Sequence, residues 1–126
     1  MHFLSKKIGT SFFLALVPSQ SPVNVQAMNK TSPTKIEVQW KPIPDEFYVH
    51  GILRGYRVLY KAIATADETP EEESETKIVT VSSSSLSAVL ENLDAYTRYE
   101  IEVLAFTIKG DGVKSEPIRA GISQDL

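Results

Sequence analysis

The chain has 126 residues, no cysteine, and an apolar share of 42%. This composition predicts one domain with a packed core. The missing thiols exclude disulfides, thiolate zinc sites and cysteine nucleophiles without fixing the compartment. From residue 21 onward, 11 Lys+Arg oppose 16 Asp+Glu, a net charge of 11 − 16 = −5. That balance disfavours nucleic acid and anionic membrane surfaces as partners, because both bind basic surface.

The first 20 residues differ in character from the rest. Lys6 and Lys7 precede a mostly apolar run at residues 8–17, and Pro18 and Ser19 follow it. This order is typical of a secretory signal peptide with cleavage near Ser19. The alternative for residues 1–20 is an unstructured segment, such as a fragment or gene-model end. The run is shorter than the about 20 apolar residues that span a bilayer, so we expect no membrane insertion by this chain.

Four segments after Pro22 alternate between two sets of side chains with a period of two. Such alternation predicts strands with one buried face, and the β-branched and aromatic residues of the inward sets favour strand structure. The predicted inward sets are Val23, Val25 and Ala27; Ile36, Val38 and Trp40; Tyr56, Val58 and Tyr60; and Tyr99, Ile101, Val103 and Ala105.

Three further segments complete the predicted strands. They cover residues 76–81, residues 87–93 and a last stretch near residues 113–122, where Pro117 favours an edge strand or a bulge. Turn-forming residues separate the segments, and the sequence contains no amphipathic helix of useful length. We therefore predict an all-β fold, an antiparallel two-sheet sandwich of about seven strands.

Four motifs, in order, resemble those of the fibronectin type III family. They are W-x-P at Trp40 and Pro42, G-Y-x-V-x-Y at residues 55–60, L-x-x-x-T-x-Y at residues 93–99 and G-x-G-x-x-S at residues 110–115. The resemblance implies an immunoglobulin-like sandwich over residues 21–123, with residues 124–126 as a tail. Ala95 and Thr107 stand where the family commonly has proline and asparagine, and neither departure threatens the fold.

The alternation and the resemblance together predict a structural core of Trp40, Tyr56, Tyr60, Leu93 and Tyr99. Trp40 is the largest apolar side chain, and we expect it between the two sheets. Tyr99 matches the family's tyrosine-corner residue, which implies a hydrogen bond between its hydroxyl and the main chain near residues 93–95.

The family resemblance implies a non-catalytic module. Domains of this family usually occur in tandem in the extracellular parts of adhesion molecules and receptors, including receptor-type tyrosine phosphatases. The resemblance therefore implies a protein-interaction or spacer role at the cell surface, with neighbouring domains and other proteins as partners. The alternative is an intracellular structural module of a muscle or cytoskeletal protein, which export directed by the N-terminal segment would exclude.

The residues themselves indicate no catalytic, cofactor or metal site. The histidines are His2 and His50, and the sequence identifies no partner for either. The acidic residues at 67–75 are mostly contiguous Glu, which suits a solvated loop better than the spaced ligands of a calcium site. We expect no enzyme and no cofactor.

Two surface features are candidate sites. Asn29 opens an N-glycosylation acceptor triplet in the first predicted turn. Lys109, Gly110 and Asp111 form a tripeptide that resembles an integrin-binding signal, at the turn where a related fibronectin domain displays Arg-Gly-Asp. Gly110 and the glycine at 112 are turn positions in the family whatever lies between them. The turn interpretation is therefore favoured, and integrin binding is disfavoured.

Overall fold

The computed structural model describes residues 17–28, 32–65 and 74–121. Its strands are β1 Val23–Met28, β2 Ile36–Lys41, β3 Gly55–Thr65, β4 Lys77–Ser82, β5 Ser87–Leu90, β6 Thr97–Thr107, β7 Gly110–Asp111 and β8 Ile118–Gly121. One 3-10 turn, Glu46–Val49, lies between β2 and β3. Over the described ranges, no helix has the length and hydropathy of a membrane span. The strand pairings are antiparallel and form two sheets, so the predicted all-β sandwich is confirmed.

The two sheets differ in size. The smaller has three strands in the order β1-β2-β5, and the larger is built on β4-β3-β6, with both β7 and β8 paired to β6. β7 lies beside the end of β6, where Phe106 is opposite Asp111. β8 lies beside the beginning of β6, where Arg98 is opposite Gly121. Strand β6 therefore extends from one end of the domain to the other, with β8 paired near its beginning and β7 paired near its end.

The core sits between the sheets and follows the period of the strands. Ile36 and Val38 on β2 are fully buried and belong to one apolar cluster with Val58, Ile101 and Val103 of the larger sheet. Full burial of one such side chain stabilises the fold by about 1.5–3 kcal/mol relative to exposure, so this cluster is the main source of cohesion.

The ends of several elements differ from the sequence-based expectation. β5 ends at Leu90 and not at residue 93, because Leu93 leaves the ladder and donates its backbone N–H to the carbonyl of Thr34 at 2.9 Å. The last predicted strand is reduced to β8, which begins directly after Pro117, a residue with no N–H to donate to a ladder. The alternation also fails at Leu104, which is 2% exposed although it occupies an outward position of β6.

Residues 17–19 lie against the domain, although the sequence indicated that they belong to the segment before it. Pro18 is fully buried, and its carbonyl accepts a hydrogen bond from the N–H of Val113 at 3.3 Å. The N–H of Ser19 donates to the carbonyl of Tyr48 at 2.9 Å. A Cβ atom on Gly112 would meet Pro18 at 2.4 Å, so this close approach requires glycine at position 112. The packed region therefore includes residue 18.

Candidate functional site

The tripeptide Lys109-Gly110-Asp111 lies at the turn of the hairpin that joins β6 to β7. Thr107 and Gly110 pair across this turn, and the N–H of Lys109 donates to Oγ1 of Thr107 at 3.2 Å. Gly110 has a φ of +144°, which L side chains rarely adopt. The backbone of the turn therefore requires glycine at position 110 without any contribution from a binding partner.

The carboxylate of Asp111 is engaged within the domain. Its Oδ1 accepts a hydrogen bond from Nη1 of Arg57 and forms an ion pair with it. The guanidinium carbon of Arg57 lies 3.9 Å from the centroid of the Phe106 ring, and Phe106 is the strand partner of Asp111. An integrin-binding signal needs a carboxylate that is available to a partner's metal ion. The intramolecular contact of Asp111 thus favours the turn interpretation over a binding signal.

Three strongly exposed apolar side chains lie at the same end of the sandwich as this hairpin. They are Phe47, Ile52 and Ile108, with exposed fractions of 68%, 77% and 77%. The loop that carries Phe47 and Ile52 contacts the hairpin, because the N–H of Arg54 donates to the carbonyl of Phe106 at 2.9 Å.

The N-terminal residues reach the domain beside the loop that carries Phe47. Nε2 of His50 and Oγ of Ser19 lie 2.9 Å apart, within hydrogen-bond distance. The imidazole ring of His50 is also 5.6 Å from the ring of Phe47 and 6.4 Å from that of Tyr48. The sequence alone indicated no partner for His50. Its partner is 31 residues away, so no local pattern could have indicated it.

The five predicted core residues belong to one buried apolar cluster. Trp40 is 3% exposed, and its ring centroid is 5.4 Å from that of Tyr56. Tyr60 and Tyr99 are also buried, with ring centroids 6.5 Å apart, and Leu93 is 5% exposed. Burial raises the pKa of the Tyr56 phenol above its ordinary value, because desolvation disfavours the phenolate.

Two buried hydroxyl groups complete main-chain hydrogen bonds. The hydroxyl of Tyr99 accepts from the N–H of Asp94 at 2.8 Å, within the stretch that the tyrosine-corner resemblance implied. Oγ of Ser115 accepts from the N–H of Val103 at 2.9 Å, and the N–H of Ser115 donates to the carbonyl of Val103 at 2.8 Å. Ser115 belongs to the G-x-G-x-x-S motif, but the motif alone indicated no role for it. In the structure it fastens the segment after β7 to β6.

Two predicted features lie outside the described residues. They are Asn29 with its acceptor triplet, and the acidic residues at positions 67–73. Within residues 17–28, 32–65 and 74–121, no group of three or more His, Asp or Glu side chains is placed to hold a metal ion.

Two antiparallel sheets around a buried tryptophan, with a tyrosine hydroxyl bound to the chain just upstream, define an immunoglobulin-like sandwich domain. The sequence model of the fibronectin type III domain matches residues 20–121. The chain belongs to the fibronectin type III family.

The chain is similar to several cell adhesion molecules. It is 44% identical over 110 residues to the cell adhesion molecule DSCAM of Rattus norvegicus, a match that covers 87% of this chain and 5% of that protein. It is 39% identical over 110 residues to Protein sidekick-1 of Gallus gallus, covering 86% of this chain and 5% of that protein. The chain thus spans about 5% of the length of these curated relatives.

Solved structures of fibronectin type III domains have the same fold. The third fibronectin III domain of the human KIAA0343 protein superposes with a TM-score of 0.74 at 28% identity, covering 86% of each chain. The FN1–FN3 domains of chicken CNTN1 superpose with a TM-score of 0.66 at 30% identity, covering 82% of this chain and 31% of that one. The relatives support an interaction module of an adhesion protein, and fibronectin type III domains of adhesion molecules are generally non-catalytic.

Proposed function

We propose that this chain is a non-catalytic protein-interaction and spacer module of an extracellular adhesion protein. The proposal rests on the positions at which the chain enters and leaves the domain. Pro18 lies against Gly112 near the end of β6, whereas Gly121 pairs with Arg98 near its beginning. Eight residue steps separate Arg98 from Phe106 on β6, which at ~3.3 Å per residue is about 26 Å. A module whose two connections lie at opposite ends adds its own length to a series of domains.

The similarity to adhesion molecules supports this context. DSCAM and sidekick-1 are many times longer than this chain, and the CNTN1 structure contains three consecutive fibronectin type III domains. We therefore propose neighbouring domains in tandem and other proteins as the partners. Integrins and nucleic acid stay disfavoured as partners, because the Lys109-Gly110-Asp111 tripeptide serves as a hairpin turn and the net charge is acidic.

The cell surface is the proposed location, with Asn29 carrying a glycan and with a signal peptide that ends before residue 17, because Pro18 and Ser19 are bound to the domain. An antibody against residues 17–121 should stain intact cells of the source organism as strongly as permeabilised ones. The chain secreted from a cultured eukaryotic cell should lose mass on glycosidase treatment, and an Asn29→Gln variant should not. Staining that requires permeabilisation contradicts the proposal and favours the intracellular structural module.

The spacer role is tested by measuring the distance between two spin labels. Because the chain has no cysteine, the labels can be attached at two chosen positions. Gln20→Cys and Arg119→Cys put one spin label at each end of the domain. We expect one narrow distance distribution centred at roughly 20–30 Å. A broad distribution, or a centre below about 15 Å, contradicts connections at opposite ends of β6.

A further inference from the structure

Strand β4 has a long, regular edge to which no strand of the described residues is paired, and we propose that this edge binds the same edge of a second copy of this chain. β4 lies at the border of the larger sheet and pairs with β3 alone. Its pairs run from Lys77 opposite Tyr60 to Ser82 opposite Gly55 without a register shift. Backbone N–H and C=O groups on the other side of β4 are therefore available to a strand from outside.

The other strand edges of the described residues are short or irregular. β5 has four residues, β7 has two and β8 has four. The pairing of β1 with β2 shifts register between Val23 and Gln26. Short strands, bulges, prolines and charges protect sheet edges against other chains. Residues 78–82 of β4 have the sequence IVTVS, without charge or proline and with four β-branched residues of five, so this edge lacks that protection.

Two copies of β4 complement each other when they run antiparallel with Thr80 opposite Thr80. This register places Val79 of each copy opposite Val81 of the other, and Ile78 opposite Ser82. Val79 and Val81 pack against the core cluster of their own domain, whereas Ile78 is 55% exposed on the other face. The register therefore continues each face of the sheet into the second copy, and pairs of β-branched residues and of threonines stabilise such a junction.

The charges before β4 favour the antiparallel direction. Glu75 and Lys77 lie at the beginning of the strand, and a serine turn ends it, where the N–H of Ser85 donates to the carbonyl of Ser82 at 3.1 Å. In the antiparallel pair, the charged beginning of each β4 lies beside the uncharged serine turn of the other. A parallel pair in register would place Glu75 beside Glu75 and Lys77 beside Lys77, which is destabilising. A second copy related by a two-fold axis is thus the partner that this edge fits.

The pairing also fixes the relative direction of the two domains. β4 runs parallel to β6, because both are antiparallel to β3. The two copies of β6 therefore point in opposite directions, and the end of one domain that carries Pro18 corresponds to the end of the other that carries Gly121. In an adhesion protein this is the arrangement of two chains that approach from opposite sides. Only this last consequence rests on the proposed function.

Single cysteines test the register, because the chain has none of its own. Residues directly opposite each other in an antiparallel pair have Cα atoms about 4.5–5.5 Å apart, within the range that a disulfide spans. Thr80→Cys would bring its two thiols together in this way. Ser82→Cys is the matched control on the same edge, since Ser82 is also exposed. Its two copies would lie four residue steps apart along the strands, which is roughly 13 Å at ~3.3 Å per residue.

Each variant of the full chain is incubated in a glutathione redox buffer, and the disulfide-linked dimer is measured by intact mass. We expect Thr80→Cys to form the dimer about tenfold faster than Ser82→Cys. A mixture of Ile78→Cys and Ser82→Cys should form the mixed dimer about tenfold faster than either variant alone forms its own dimer, because these two positions are opposite each other. Circular dichroism melts establish that every variant is folded.

A charge on the edge should prevent the pairing. Ile78→Lys, added to Thr80→Cys, places a second cation next to Lys77 at an exposed position and should slow dimer formation by at least about fivefold. Ile108→Lys is the matched control in the same background. Ile108 is 77% exposed in the turn between β6 and β7, away from β4, so its change should leave the rate within about twofold.

Three outcomes overturn the inference. They are equal rates for Thr80→Cys and Ser82→Cys, a mixture of Ile78→Cys and Ser82→Cys that shows no preference for the mixed dimer, and a Thr80→Cys rate that Ile78→Lys leaves unchanged. Equal and fast rates would identify parallel pairing or non-specific association. Each of these outcomes leaves the staining and distance tests of the proposed function unaffected, so the two proposals fail separately.

Discussion

The hydroxyl of Tyr99 accepts a hydrogen bond of 2.8 Å from the backbone N–H of Asp94, five residues earlier in the chain. Asp94 belongs to the connection that leads into β6, so this bond ties the connection to the strand that runs the length of the domain. Tyr99→Phe leaves the partly buried N–H without this acceptor. We expect the free energy of unfolding to fall by about 1–3 kcal/mol, measured by denaturant titration.

The matched control for this change is Tyr96→Phe. Tyr96 is 53% exposed, and removal of its hydroxyl should shift the unfolding midpoint by less than about 0.5 kcal/mol. Equal midpoints for Tyr99→Phe and the unchanged protein would show that the hydrogen bond contributes nothing to stability.

Trp40 is the residue whose truncation should cost the most. It is 3% exposed and packs against Tyr56, and a change from a buried tryptophan to alanine typically costs about 3–5 kcal/mol. We expect Trp40→Ala to show no cooperative unfolding transition at 37 °C. Unfolding is followed by circular dichroism, because the substitution removes the chain's single tryptophan and therefore its fluorescence.

Trp40→Phe separates volume from polarity at the same position. Within the described residues, Nε1 of Trp40 has no hydrogen-bond partner, so phenylalanine loses ring volume but no hydrogen bond. We expect Trp40→Phe to keep a cooperative transition and to lose less stability than Trp40→Ala. A normal melt for Trp40→Ala would refute its place in the core.

The ion pair of Arg57 and Asp111 should contribute little to stability. Both side chains are partly exposed, and ion pairs in such positions contribute about 0–1 kcal/mol. Asp111→Ala should therefore cost at most about 1 kcal/mol at low salt and less at about 1 M salt. Arg57→Ala should lower the free energy of unfolding by more than Asp111→Ala does, because it also removes the contact of the guanidinium with the Phe106 ring. Arg57→Lys keeps the charge but removes the planar guanidinium, so its effect measures the contribution of that stacked contact.

The tripeptide that contains Asp111 makes a prediction about adhesion. Integrin-bearing cells should attach equally to surfaces coated with the unchanged domain and with Asp111→Ala, because the tripeptide serves as the turn of the β6–β7 hairpin and its glycine is required by the backbone. Attachment that the unchanged domain supports and Asp111→Ala abolishes would establish the tripeptide as a binding signal and contradict the turn interpretation.

Local patterns predicted the parts of the fold that depend on local structure. The period of two identified Ile36, Val38 and Trp40 as one buried face of β2, because alternation along a strand directly assigns side chains to faces. The same pattern misassigned Leu104, since the pattern shows which face a residue occupies and not what covers that face. The hydrogen bond of Tyr99 came from the family resemblance, because alternation alone predicts only that its ring is buried.

The contacts at the ends of the domain could not be predicted from local sequence. Arg57 and Asp111 are 54 residues apart, and Ser19 and His50 are 31 residues apart. Each pair forms only because the assembled sheets bring particular strand ends next to each other. No local sequence pattern predicts either contact. The sequence identified the tripeptide as a candidate, but only the pairing of β6 with β3 and β7 shows why its carboxylate is engaged.

Tyr56 should make the domain sensitive to alkaline pH. Its folded-state pKa is raised above the ordinary value of about 10, so the folded state holds the proton more tightly than the unfolded state. Its contribution is fully present below about pH 10 and is lost as the pH rises through the folded pKa. Tyr56→Phe should flatten the loss of stability above about pH 10. An unchanged slope would contradict this, and Tyr96→Phe is the exposed control.

The docked N-terminal residues predict a difference between two truncated chains. A chain that starts at residue 17 keeps Pro18, which is fully buried, and the main-chain bonds of Pro18 and Ser19. A chain that starts at residue 21 loses all of these, and we expect it to be less stable by about 1–3 kcal/mol in denaturant titrations.

Gly112→Ala shows whether this difference arises from Pro18. A Cβ atom at position 112 would lie 2.4 Å from Cβ of Pro18 and 2.7 Å from its carbonyl oxygen, so the substitution should destabilise the chain that starts at residue 17. In the chain that starts at residue 21 the clashing atoms are gone, and Gly112→Ala should have a much smaller effect. Equal effects in both chains would mean that Pro18 does not pack on Gly112. The comparison also bears on export, because cleavage near Ser19 would remove Pro18, whereas cleavage before residue 17 would keep it in the domain.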